Sequence, residues 1–559
     1  MRISHYFYSF AGSKKQVDHI HCMNLKNIDY QKVNNNGKFI TIAVILFISL
    51  LLQWRHLNEF PLHIHAWAQA DWYSLAIGYV DNGMDFFHPQ TMLYNKQDAG
   101  LWGTTITSVD FPVHVYLVAL FMKIFGTTAP WVFRCWTLLW SMIGIYFLYK
   151  ISFLLTKDWI KSLLAAVIVL TAPTYVYYAG GFIPSIPALS FAMMGLWGYL
   201  SYTEKGNVRY FCFGFACLTL AAMIRSSQIV LLIAVCCFEF IRILKNESPL
   251  RKIIVPVLIC FLFYISYFLW NKHLANTYDS MFLGKLMPAS NKSDLDFVFQ
   301  NVQQRWEFHY FQRIQHWVVA AAVILGSICA IIHKHKQKKT DNALEQSSKK
   351  LSYWYLTIIY ILGELLFVGA MVMQFCDHDY YFLDSLFLPI LLIFILSMRS
   401  IKSIDTIRKA LISFPLIVIL GAFMTVNAMD MQQVRRGYAE DPSLRSYRNF
   451  EHSDKLLDDA GISRDAKILT LFAYPKSSAF IQMQRRGYIV LTTDEKKVRK
   501  AITADYDYIV IENQIFREEF DNHGYVLQYL RPIIRNEGIS VCELSDTIIS
   551  PTVEDFFKE

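Results

Sequence analysis

Apolar runs of bilayer-spanning length recur along this chain, near 39–54, 130–150, 159–178, 183–202, 208–223, 227–243, 252–270, 316–333, 352–375, 382–398 and 410–428. In hydrocarbon a run of about 20 apolar residues satisfies its backbone as a helix, so the repetition predicts a mainly α, polytopic transmembrane bundle of about eleven spans. Charged residues are 18% of the chain, where soluble domains carry about 25%. The net charge of +8 does not imply a nucleic-acid partner. The Lys and Arg lie in short clusters between apolar runs, without a nucleic-acid fold signature.

Those clusters orient the bundle. They are the N-terminal lysines (Lys14, Lys15, Lys26, Lys32), Lys150 to Lys161, Lys205 with Arg209, Arg242 to Lys252, HKHKQKK at 333–339, and Arg399 to Lys409. All fall on one side if FPVHVYLVALFMKIFG (111–126), short and interrupted by His114 and Lys123, lies in the interface or re-enters. If it spanned, every later cluster would move outside, against the positive-inside rule. The expected order is a polar cytoplasmic segment 1–38 with no cleavable signal, a membrane domain 39–429, and a C-terminal part outside. The loops 55–129 and 271–315 share that outer side.

From residue 430 to 559 the pattern changes to strand-like runs, KILTLF (467–472), GYIVLTT (487–493), YDYIVIE (506–512) and ISVCEL (539–544), separated by amphipathic segments. Such alternation predicts a small α/β domain with a partly parallel sheet. It holds no GxGxxG, P-loop or nucleophile elbow, and Asp494, Glu495, Asp505 and Asp507 read as solvated surface. Most of the ten cysteines lie in apolar runs and none has CxxC spacing, so no disulfide framework is read. Cys376 and Cys542 share the outer compartment without an assigned pairing.

Chemistry concentrates in the first outer loop, where HAWAQADWYSLAIGYVDNGMDFFHP (65–89) crowds aromatic residues and His around Asp71. Its spacing predicts a helix over 66–80 with Trp67, Ala70, Ser74 and Ile77 on one face. Asp71 is mid-helix, where an N-cap role does not exist, and Trp67 and Trp72 shield it from solvent. The same loop carries Asp81, Asp85, Asp98 and Asp110. Asp81 precedes the turn signal Asn82-Gly83 and reads as structural. Asp110, before Phe111-Pro112, suits either a helix N-cap or a site acid. His63 and His65 with Asp71 make a weak metal-ligand pattern, and no metal site is assigned.

Further along, CDHDYYFLD (376–384) puts His378, Asp379, Tyr380 and Tyr381 in a short outer loop. Aromatic-belt placement accounts for the tyrosines but not for the His-Asp pair. Arg225, in AAMIRSSQIV at an outer junction, must snorkel to the interface or meet an anion, for which phosphate suits its planar fork. Arg305, Trp306, His309, Tyr310 and Arg313 form a segment that either closes over a site or lies in the interface.

An Asp in an ADWYSLA-type helix, followed by an acid before FPVHVYLVALFMKIFG, resembles the glycosyltransferase-C superfamily. Within it, the chain is similar to the bacterial RgtA/B/C/D-like branch, which is related to dolichyl-phosphate-mannose-protein mannosyltransferases. The likeness covers about 39–400. It implies a bundle with interfacial helices in the first outer loop, in the cytoplasmic (inner) membrane of the cell. It places the family's first-loop aspartate on Asp71, its second loop acid on Asp110, and its His-x-Tyr-Tyr-type motif on His378, Tyr380 and Tyr381. Trp72 replaces the Glu of a common Asp-Glu pair, and Ser185 in FIPSIP stands where many relatives carry an acid.

The resemblance implies sugar transfer from a polyprenyl-phosphate donor to a lipid, glycan or protein acceptor, on the outer face and with inversion. Asp71 is the expected general base, Arg225 the phosphate clamp, and His378 and Tyr381 orient the donor headgroup. No cofactor is assigned, and a divalent metal is left open. The alternatives are a flippase for lipid-linked saccharides, or an oligosaccharide ligase or polymerase. Against transport, the chain lacks inverted repeats, and Glu364 in ILGELLF is the main acid within a span.

Overall fold

The computed structural model describes residues 30–94, 103–278, 286–340, 351–404, 406–437, 441–492, 494–519, 526–550 and 552–557. Among these, seven helices are long and apolar enough to cross a membrane: Lys32–His56, Pro130–Thr156, Ser226–Leu244, Leu250–Tyr278, Arg313–His335, Tyr353–Ala370 and Ile407–Arg436. Trp159–Thr171 and Pro173–Ala179 make an eighth if counted as one broken span, bent by 71°. The bend has a local cause, since Pro173 supplies no N–H and holds Ala172 in an extended conformation. Past the bend, Thr174 and Tyr178 donate to Asp379 and Tyr177 donates to the Ile64 carbonyl.

The expected runs 183–202, 208–223 and 382–398 are the helices Ser185–Lys205, Val208–Ile224 and Phe387–Ser400. The latter two, of 17 and 14 residues, rise about 25 and 21 Å, less than a hydrocarbon core of about 30 Å. Ser185–Lys205 is buried along most of its length. A Cβ on Gly198 would come within 2.7 Å of the Gly214 Cα, so glycine permits these two helices to pack backbone to backbone. Glu364 is buried inside its span, and Glu239 is a second buried acid the sequence pattern did not single out. Glu239 accepts from Tyr199 at 2.7 Å and from Arg242 at 2.7 Å.

The segment 111–126 folds as the 13-residue helix Val113–Phe125, closed by Gly126 at φ 65°, about 20 Å long and too short to span. The chain's five-stranded sheet comprises β1 (Lys467–Leu471), β2 (Arg486–Val490), β3 (Tyr508–Glu512), β4 (Leu530–Arg535) and β5 (Ile539–Leu544), in the order β2-β1-β3-β5-β4. β1 runs parallel to β2 and β3, while β5 is antiparallel to β3 and β4. β4 escapes the sequence pattern because Pro532 and a bulge interrupt it, as an edge strand permits.

This sheet is fastened to the first loop. The Gly487 N–H donates to the Met92 carbonyl at 3.2 Å, and the Tyr94 N–H donates to the Gly487 carbonyl at 2.9 Å. The loop thereby adds a short pairing to the β2 edge. Asp81, expected to be structural, lies 3.8 Å from Arg486. Trp72, Tyr73 and Leu75 of the first-loop helix share one apolar core with Ile468 and Phe480.

Candidate active site

Arg225 sits where the helix Val208–Ile224 ends, its backbone extended (φ −144°, ψ 110°). Its side chain does not snorkel. The Nε donates to Asp384 Oδ2 at 2.6 Å, and the guanidinium lies 5.4 Å from the ring centroids of both Tyr380 and Tyr381. Asp384 is fully buried, and Gln228 Nε2 donates to its backbone carbonyl at 3.1 Å. Burial raises the Asp384 carboxyl against the pull of Arg225 and Ser185. Ser185 stands at the position where the resemblance placed an acid.

Asp110 joins the same cluster. The N-cap reading of Asp110 is overturned, because Pro112 occupies the N-cap position of Val113–Phe125. The Phe111 N–H donates to the Met223 carbonyl at 2.9 Å, which seats Asp110 by the Arg225–Ser226 turn, and the Arg225 charge acts on its carboxylate. Burial pushes it up to about 6; Arg225 and Ser226 oppose that rise and Asp384 adds to it.

A second charged cluster adjoins the first. Asp379 is fully buried, accepting at Oδ2 from Arg435 Nη2 at 2.6 Å and from Thr174 at 3.2 Å. At Oδ1 it accepts from Tyr178 at 2.7 Å and meets His65 Nε2 at 3.2 Å. Burial alone would raise this carboxyl, but Arg435, His65 and Tyr178 together hold it well below the usual carboxylate range. Thr174 and Tyr178 come from the broken span, so the Pro173 bend supplies two of its partners.

The His65 and His378 rings stack at 5.1 Å and 10°, with Tyr380 edge-on to both. Burial, then His65, pushes His378 down to about 4. It is therefore a neutral ring at pH 7, and the cation facing the tyrosines is Arg225. From outside, Trp306 Nε1 donates to the Cys376 carbonyl at 2.8 Å and Tyr310 stacks on Phe382 at 4.1 Å. His309 Nδ1 accepts from Arg435 Nη1 at 3.1 Å, its ring held down to about 4 by burial and then Arg435. Residues 306–310 of this segment thus pack against the 376–384 motif.

Asp71 bonds elsewhere. On the helix Ala66–Asp81 it accepts at Oδ1 from Ser477 Oγ at 2.5 Å. Burial raises its carboxyl, while Lys476, Ser477 and Trp67 pull it down. The described structure thus brings Asp110, Arg225, His378, Tyr380 and Tyr381 together and sets Asp71 against the sheet. His65 connects the two places. It precedes the first-loop helix as its N-cap residue, and Asp71 lies six residues, about 9 Å of helical rise, beyond it.

The metal pattern does not assemble. His63 Nδ1 meets Asp441 at 3.0 Å whereas His65 turns to Asp379, and among the described residues no group of three His, Cys, Asp or Glu side chains could hold a metal. Asp98 lies outside the described residues. Cys376 and Cys542 are both free and buried. Arg435, Lys476 and Ser477 carry no mark in the sequence that separates them from ordinary polar residues. Asp384 alone had a local cue, an acid ending the CDHDYYFLD motif directly before an apolar run.

Residues 110–270 match the family model of dolichyl-phosphate-mannose-protein mannosyltransferase. No curated protein matches the chain by sequence. In shape it is similar to the arabinofuranosyltransferase AftD from Mycobacteria, with a TM-score of 0.54 at 11% identity, over 91% of this chain and 40% of that one. ArnT from Cupriavidus metallidurans bound to undecaprenyl phosphate gives 0.47 at 10% identity, over 90% and 97% of the two chains. The Archaeoglobus fulgidus oligosaccharyltransferase with Zn and sulfate gives 0.49 at 11% identity, over 86% and 69%. The likeness to AftD carries the fold, and the matched segment and that fold agree with the resemblance read from the sequence.

Proposed function

We propose that this chain, a polytopic membrane protein with the glycosyltransferase-C fold, moves a sugar from a polyprenyl-phosphate donor to an acceptor hydroxyl at the outer face of the cytoplasmic membrane. The observation that carries this reading is the family match over 110–270. It begins at Asp110 and contains Arg225, whose charge acts on the Asp110 carboxylate.

In the proposed step the acceptor oxygen attacks the anomeric carbon, and the C1–O bond to phosphate breaks with its electron pair remaining on the phosphate. Polyprenyl phosphate is a stable anion and needs no proton to leave. The acceptor proton passes to Asp71, whose half-buried carboxylate fits a general base. Direct displacement inverts the anomeric centre. Arg225, with its fork over Tyr380 and Tyr381, meets the phosphate charge, and the neutral His378 and the tyrosine hydroxyls orient the headgroup. Among the described residues no group of three His, Cys, Asp or Glu side chains could hold a metal, and no step is routed through one.

The test is transfer from a panel of radiolabelled polyprenyl-phosphate sugars in membranes containing the full chain. Incorporation into acceptor is expected. Movement of lipid-linked saccharide across the bilayer without transfer would replace this reading with a flippase.

Asp110 adds a pH signature. Below about 6 its carboxyl is protonated, which removes a negative charge beside Arg225. The donor, a phosphodiester, stays singly anionic throughout. Its KM should therefore fall several-fold between pH 7.5 and 5.5. Asp110→Asn should hold the low value at both pH values. A KM in that variant that still varies with pH as in wild type would remove Asp110 from the donor site.

A further inference from the structure

The sheet domain reaches the first-loop helix through Lys476–Met483, and the first two residues of that helix both address Asp71. Ser477, only 1% exposed, donates its hydroxyl to Asp71 Oδ1 at 2.5 Å. The Lys476 charge acts on the same carboxylate, and its Nζ lies 4.6 Å from the Trp67 ring centroid. Trp67 is one turn before Asp71 and meets Tyr474 edge-on at 5.8 Å. The helix is held in register by its surroundings. The Tyr474 N–H donates to Ser446 Oγ at 3.0 Å, and just beyond the helix Arg486 and Gly487 hold Asp81, Met92 and Tyr94. On another face of the first-loop helix His114 packs on Trp72, and near its start His63 is occupied by Asp441. Among the described residues, Lys476 is the charge that acts on Asp71.

We propose that Ser477 and Lys476 are positioning residues for Asp71, contributed to the reaction centre by the C-terminal sheet domain. The Ser477 hydroxyl fixes the carboxylate toward the acceptor, and the Lys476 ammonium, over the Trp67 ring one turn away, supplies the opposite charge. This rests on the transferase reading above, with Asp71 as the base. The sheet domain is then part of the catalytic apparatus.

The test uses the full chain with Ser477→Ala, Ser477→Thr, Lys476→Met and Lys476→Arg, and two readouts. One is the pH dependence of kcat for sugar transfer. The other, independent of activity, is the pH dependence of Asp71 labelling by carbodiimide and glycine ethyl ester, which react with the protonated carboxyl and are read by peptide mass. Lys476→Met should move the midpoint of both profiles upward by about one pH unit. Ser477→Ala should move them the same way and lower kcat about tenfold with KM little changed. Thr and Arg should restore the wild-type profiles. A labelling midpoint that stays put in Ser477→Ala and Lys476→Met overturns the proposal whatever happens to activity. So does a higher kcat in Ser477→Ala, which would make Ser477 an occupant the acceptor displaces. Shifted labelling in a protein that transfers no sugar keeps the contact and rejects the transferase reading.

Discussion

Asp71→Asn is expected to reduce sugar transfer by about 10²- to 10⁴-fold, the range for loss of a general base, while the donor KM stays close to wild type. The substitution preserves the shape of the side chain and its ability to accept from Ser477, so the fold of the first-loop helix is retained. What disappears is the capacity to take a proton. The donor KM is spared because Arg225, Tyr380 and Tyr381 belong to a different cluster. Initial rates at saturating acceptor, with expression matched by quantitative blot, measure the effect. Equal kcat in both proteins would leave a transferase without this base. A raised donor KM with unchanged kcat would make Asp71 a binding residue instead.

The division between what the sequence makes legible and what it hides follows the range of the signal. Apolar runs and the helix around Asp71 are written in neighbouring residues, because helical burial has a short period; the run 159–178 reads as one span, and the break at Pro173 emerges only in the folded chain. The alternating strands are local in the same way, and β4 is lost where Pro532 breaks the pattern. The site is not local. Arg225 finds Asp384 159 residues away, and Asp71 finds Ser477 at a separation of 406. No spacing rule reaches that far, so each side chain reads as a candidate without its partner. Asp110 illustrates the cost. From the sequence a cap and a site acid are equally natural, and the choice depends on Arg225 lying beside it, which only the folded chain reveals.

Arg435→Leu is expected to destabilise the protein by about 3–5 kcal/mol, the range for removing one partner of a buried ion pair. Arg435 and Asp379 are both fully buried, and the arginine leaves behind a carboxylate with two hydroxyls and His65 as its remaining partners. The pH dependence has a definite sign. The Asp379 carboxyl is held below its unfolded value, so its contribution is complete above about pH 4 and is lost progressively as pH falls from there through the folded value. At pH 7 the wild type therefore has the full benefit, and the variant shows the full deficit. Asp379→Asn combined with Arg435→Leu should recover much of the loss, because the stranded charge is gone and an amide can still bond Tyr178 and Thr174. The measurement is thermal loss of the monodisperse peak in detergent, for wild type, both single variants and the double variant. A double variant as unstable as the sum of the two singles would show that the two residues act separately. Recovery would identify the pair as the clamp that fastens the last span to the 376–384 motif, and so holds Tyr380 and Tyr381 beneath Arg225.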